Sequence, residues 1–195
     1  MHHTRLPFEF SATQRGSVLV TALIMLVVLT MLMVSAMRTN VGEQRMAGNA
    51  RDWHVAFQAA EAALRDAERD ILAVTRISGL TGFDDGCSNT GLCKVSTTGT
   101  AIWVRLAEAN DAGWMSGQDS NTKTVKYGAY TDAAALPGVA AQPRYIIEAI
   151  SVPQSGSIKK PQAGRNFDYF YRVTAVGFGA NITTRVMLQG VYRQY

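Results

Sequence analysis

The chain has 195 residues, enough for one domain of ordinary size with a long appendage and too few for two comfortable domains. Apolar residues form 47% of it and charged residues only 17%, and the imbalance is local, because no Asp, Glu, Lys or Arg occurs from Gly16 to Met37. The formal charge of +4 is dispersed, its densest pair being Lys159 and Lys160 in a Ser/Gly/Pro loop, so no nucleic-acid-binding face is expected.

A polar leader ends in Gln14-Arg15-Gly16, and residues 17–37 (SVLVTALIMLVVLTMLMVSAM) follow without a spacer. As a helix these 21 residues rise about 32 Å, the thickness of a bilayer's hydrocarbon core. A cleavable secretory signal has a shorter apolar core, although VSAM at 34–37 weakly imitates its cleavage site. A plain signal anchor fits the length. A buried core helix fits worst, since nothing of matching hydrophobicity follows to cover it. Arg15 and Arg38 flank the run about equally, so orientation rests on the cysteines, which favour an oxidising compartment for the C-terminal part.

Beyond Arg38 there is no Pro until Pro137, so a helix can continue. Met46, Ala50, Trp53, Phe57, Ala60, Leu64, Ala67, Ile71 and Val74 recur in steps of four and three, one apolar seam predicted to pack on a sheet. Arg51, Asp52, Glu61, Arg65, Asp66, Glu68, Arg69 and Asp70 are placed on the opposite, solvated face as an ion-pair surface. The small Ala positions suit a sheet better than a coiled-coil seam. Gly42 and Gly48 weaken the junction of the two halves, where a bend or a melted turn is expected. Thr75 to Gly79 ends a helix of about 60 residues, roughly 90 Å.

From Gly79 the composition turns to Gly, Ser, Thr and Asn, a variable loop holding AIWVRL at 101–106. The only cysteines, Cys87 and Cys93 in CSNTGLC, suit a short disulfide-closed turn. Zinc competes, but two cysteines without a nearby His half-fill a tetrahedral site. Three β-rich runs follow, at 144–152, 168–178 and 181–195, the last two read as a hairpin joined by Gly-Ala. Imperfect alternation at Val173, Ala175 and Phe178 leaves the register open. A three- or four-stranded antiparallel sheet on the amphipathic helix gives an α+β domain.

Chemistry is hard to assemble from these residues. His2 and His3 lie in the leader, which leaves His54 alone on the helix, and no nucleophile, phosphate-loop or zinc-protease motif occurs. Asp84 and Asp85 before Gly86 are read as shaping a turn and not as calcium ligands. Asn181-Ile182-Thr183 matches a glycosylation acceptor, but inside a predicted strand it is treated as chance. No cofactor, metal or enzymatic activity is expected.

The leader ending in Gly16 directly before the apolar run resembles a type IV prepilin signal. That resemblance implies cleavage by a prepilin peptidase between Gly16 and Ser17, methylation of the Ser17 amine, and retention of the apolar helix. Most pilins carry Glu at the fifth mature position; here it is Thr21. In related secretion filaments the subunit lacking that Glu is assigned to the tip, and the same is implied here. The alternative is that Thr21 is merely tolerated.

The phrases QRMAGNARD, FQAAEAALRDAE, CSNTGLC, PRYIIE and YRVTAVGFG, in that order, resemble a PilX-type minor pilin. The resemblance implies a pilin-like fold: leader 1–16, apolar transmembrane and filament-core helix 17–43, and a globular domain 44–195. The domain comprises an amphipathic helix 44–78, a variable region 79–143 and a sheet 144–195. It implies a structural subunit of a priming or tip complex, with other minor pilins, the major pilin, a tip adhesin and the inner-membrane assembly platform as partners. The chain is expected in the inner membrane with its domain in the periplasm, then in the extracellular pilus. A minor pseudopilin of a type II secretion or DNA-uptake system is one alternative. An anchored periplasmic enzyme or binding module is another.

Overall fold

A computed structural model describes residues 16–73, 76–88, 91–97, 99–109, 114–117, 123–153 and 167–193. The leader with His2 and His3, Val74 of the predicted seam, and Lys159 and Lys160 lie outside the described residues. The chain forms two compact units, residues 1–48 and 49–195.

Helix α1 spans Ser17–Leu72, taking in residues 17–48 of the first unit and opening the second. Its helical pattern is unbroken at Gly42 and Gly48, so no melted turn lies there. From Ser17 to Met37 every residue is exposed.

In the second unit a sheet runs in the order β1-β3-β4-β5, with β1 at Leu92–Lys94, β3 at Arg144–Pro153, β4 at Phe167–Phe178 and β5 at Arg185–Arg193. The two-residue β2, Val125–Lys126, also pairs with β3. The three long strands are antiparallel, as their composition predicts, but β1 joins β3 in parallel, so the sheet is mixed. AIWVRL, expected as loop, opens the short helix α2, Ile102–Glu108.

Along Val173–Phe178 of β4 both faces of the sheet are covered, which explains the imperfect alternation there. Tyr171, Val173 and Ala175 join Tyr145 and Ile147 of β3 in a core that includes Ala63, Ala67 and Ile71 of α1. Val176 and Phe178 join Ile146 in a second core beneath α2, Trp114 and the Cys87–Cys93 disulfide. Adjacent positions of one strand therefore serve different cores. The registers Tyr145↔Ala175↔Leu188 and Ile147↔Val173↔Gly190 keep each set on its own side.

The helix face that meets the sheet keeps Ala60, Ala67 and Ile71 of the predicted seam but departs from it at its bulky and N-terminal members. Ala56, Ala59, Ala60, Ala63, Asp66, Ala67, Asp70 and Ile71 are buried, whereas Trp53 is 48% exposed and Met46 and Ala50 face solvent. Phe57 and Leu64 are half-buried at the margin, with Trp53 stacked on Phe57 at 5.5 Å. The reason is close approach: a Cβ on Gly177 of β4 would sit 2.2 Å from the Ala56 carbonyl oxygen and 2.3 Å from the Ala60 nitrogen. Only an Ala stripe facing a Gly lets the two backbones come so near. Bulky seam residues are thereby displaced to the flank.

Candidate functional site

The apolar half of α1 has no charged residue in its first turn, and its most apolar window reaches a mean hydropathy of 2.8. By length and composition it is the one helix among the described residues able to cross a membrane. Val18, Leu19, Met25, Leu26, Met31 and Met37 all stand more than half exposed and point to different sides. A helix apolar all round needs lipid or other helices against it. The Thr21 hydroxyl donates to the carbonyl oxygens of Ser17 (3.1 Å) and Val18 (2.9 Å), and Thr30 donates to Val27 (2.8 Å). Both hydroxyls are satisfied within their own turn, as Thr in a helix commonly is.

In the second unit three polar clamps fix loops to the scaffold. Asp66, assigned to the solvated face by its sequence position, is buried and accepts the Gly128 N–H (2.8 Å) and the Thr131 hydroxyl. Gly128 has φ +78° and its missing Cβ would lie 2.4 Å from the Ala133 carbonyl oxygen, so a side chain there would collide with its own turn. Asp70, likewise buried against expectation, accepts Arg76 Nε (2.9 Å) and the Tyr145 hydroxyl (3.0 Å). Burial, together with the charge of Asp70, pushes the Tyr145 phenol far above its usual range. Arg76 also lies over the Tyr130 ring, 3.8 Å from its centroid.

Asp52 accepts the Ala180 (2.6 Å) and Asn181 (3.3 Å) N–H groups and so ties α1 to the β4–β5 turn. A hydrogen bond from Thr184, helped by these two amides, holds its carboxyl below the usual range. On the outer face Glu148 is fully buried and receives Arg172 through two bonds of 2.9 and 2.8 Å. The bond to Glu148 raises the Arg172 pKa.

Two family profiles match this chain. One, described as PilX N-terminal, covers residues 15–65; the other, described as type IV pilus assembly protein PilX C-term, covers residues 83–194. The chain belongs to the PilX family. No curated protein and no solved structure matches it. As a PilX-family pilin it is a type IV pilus protein whose N-terminal apolar helix is a membrane anchor and whose C-terminal domain lies outside the membrane.

Ser17, directly after Gly16, is the first residue of α1. Cys87 and Cys93 are bonded to each other, which removes the zinc alternative, and both belong to the outer core. Among the described residues no three His, Cys, Asp or Glu side chains converge as a metal site. In this PilX-family domain His54 is exposed and edge-on to Trp53 at 5.4 Å. Glu61 and Arg65 are 4.0 Å apart and solvated. Asp84 shapes a turn, accepting the Gly86 (2.8 Å) and Ser88 (3.0 Å) N–H groups, and its pKa is lowered chiefly by the Ser88 hydroxyl.

Asn181 lies in the β4–β5 turn and not in a strand as predicted, accepting the Thr183 N–H at 3.1 Å. The turn is longer than the Gly-Ala expected, because Gly179 N–H bonds the Thr184 carbonyl (2.8 Å) and closes a loop between them. The buried roles of Asp66 and Asp70 were missed because their charge spoke for solvent. The one available signal was their position, Asp66 three residues after Ala63 and Asp70 three after Ala67.

Proposed function

We propose that this PilX-family pilin is a structural subunit that acts at or near the tip of a type IV pilus, within a priming complex of minor pilins that carries a tip adhesin. The reading treats the apolar helix as an anchor that exchanges lipid for neighbouring pilin helices. It holds that prepilin peptidase cuts between Gly16 and Ser17, that Ser17 is N-methylated, and that the domain waits in the periplasm before assembly. The other minor pilins, the major pilin and the inner-membrane platform are the partners this requires.

The observation that carries the proposal is Thr21. A carboxylate in an apolar bundle is costly and persists only where pairing repays it, as with the amine of the subunit above. Here the fifth residue after Gly16 is a hydroxyl bonded to its own helix, so this subunit makes no such demand. A subunit with nothing above it is the one that can omit the acid.

Intact-mass analysis of the membrane-extracted protein is expected to give a chain starting at Ser17 with one added methyl. A chain starting at Met1 or near Arg38 would end the pilin reading. Thr21→Glu is expected to alter pilus number when it replaces the native subunit. Unchanged piliation would remove the tip argument while leaving processing intact.

A further inference from the structure

The sheet ends in two unlike edges. On one side β3 carries only the three residues of β1 and the two of β2, short strands of the kind that blunt an edge. On the other, β5 extends for nine residues, and among the described residues no strand pairs with its outer edge. Its register with β4 is continuous from Phe170↔Arg193 to Phe178↔Arg185, so no bulge twists it away. Its sequence, RVMLQGVYR, holds no Pro and no charge between the two terminal arginines. Such an edge turns alternate N–H and C=O groups outward in a row at strand spacing, and the group that satisfies them all is another strand.

The side chains beside that row are suited to contact. Val191 on the outer face is 61% exposed, and Met187, four residues earlier on that face, is half-buried against the outer core. On the α1 side the Tyr192 ring lies over Gly190, within 3.1 Å of where a Cβ would be, and fills the space a side chain would take.

The two arginines decide which strand fits. Full-length pairing of β5 with a copy of itself in antiparallel sense sets Arg185 against the copy's Arg193 at both ends. Parallel pairing sets each arginine against its own counterpart. Like charges directly opposite are destabilising in either case. Arg193 lies 3.3 Å from Asp168, whereas Arg185 donates to the neutral Met115 carbonyl (2.7 Å) and has no carboxylate partner among the described residues.

We propose that the outer edge of β5 accepts an extended segment of a different protein: an uncharged, alternating strand with a carboxylate opposite Arg185. The proposal rests on the edge and its charges and stands apart from the processing and position of the apolar helix.

The test uses the full chain in detergent micelles and two nine-residue Thr/Val-alternating peptides, one with Glu at both ends and one with Lys, matched to the length of β5. Hydrogen exchange of residues 185–193 reports strand addition. The Glu-ended peptide is expected to slow exchange there and to bind about tenfold more tightly than the Lys-ended one. Arg185→Glu is expected to reverse that order, and the milder Arg185→Gln to erase it. Gln189→Lys with Val191→Lys, at exposed positions, is expected to abolish protection with the circular dichroism unchanged. No protection by either peptide, or equal affinity for both, overturns the proposal. Protection of β5 that grows with protein concentration alone also overturns it, in favour of self-pairing.

Discussion

From Ser17 to Met37, α1 presents apolar side chains on all sides and buries none of them in its own unit, whereas from Ala56 to Ile71 it buries a stripe of small residues and two carboxylates. The first stretch is hydrophobic because its surroundings are to be supplied from outside the chain. The second is modest in hydrophobicity because its partner is already there and very close. Bulk on the second stretch would hold the sheet away; Ala lets Gly177 approach backbone to backbone. The same secondary structure is thus specified in one half by transfer free energy and in the other by shape and by hydrogen bonds.

Substitutions can break that contrast at graded cost. Asp70→Ala leaves Arg76 and the Tyr145 hydroxyl without their buried acceptor and is expected to cost about 3–5 kcal/mol in urea unfolding of the full chain in micelles. Gly177→Ala drives a methyl into the α1 backbone and is expected to cost about 3 kcal/mol, seen as a lower unfolding midpoint. Gly48→Ala, where nothing lies within 4 Å, is the matched control and is expected to stabilise the helix by up to about 1 kcal/mol. Equal effects at the two glycines would dissolve the distinction.

Replacing Cys87 and Cys93 by Ser opens a small loop and is expected to cost about 2 kcal/mol. The effect belongs to the outer core, so amide exchange is expected to rise in α2 before it rises in α1. The smallest effect concerns acid. Asp52 has its pKa depressed by folding, so its contribution is present above the ordinary Asp value and is lost as pH falls through the folded one. Stability is expected to decline below about pH 4, and Asp52→Asn to flatten that decline in a pH series of melting curves.

The long elements were legible because their signals are local. An uncharged run, a three-four seam and three β-rich runs each announce themselves within a few residues. What escaped depends on distant partners. Asp66 meets Gly128 and Thr131, and Asp70 meets Tyr145, across 62, 65 and 75 residues of chain, and apart from their spacing from Ala63 and Ala67 nothing nearby distinguishes them from Glu61 or Glu68. β1 is three residues long and is a strand only because β3 lies beside it. α2 has seven residues and an Ala N-cap without a side-chain hydrogen bond, so its start carried no mark. Trp53 was misplaced because size stood in for contact: the helix turns its smallest residues inward, and the sequence pattern weighs large and small apolar residues alike.

Thr21 and Thr30 show what a helix loses when its hydroxyls close on their own turn. A polar group that reaches outward acts as a key: it tells a neighbour how far to slide and through what angle to rotate before both settle. At these two positions the hydroxyl proton is already used within the helix and is not offered outward. The interlock of Leu, Met and Val side chains must then set depth and orientation, a smoother cylinder on which several settings differ little in energy.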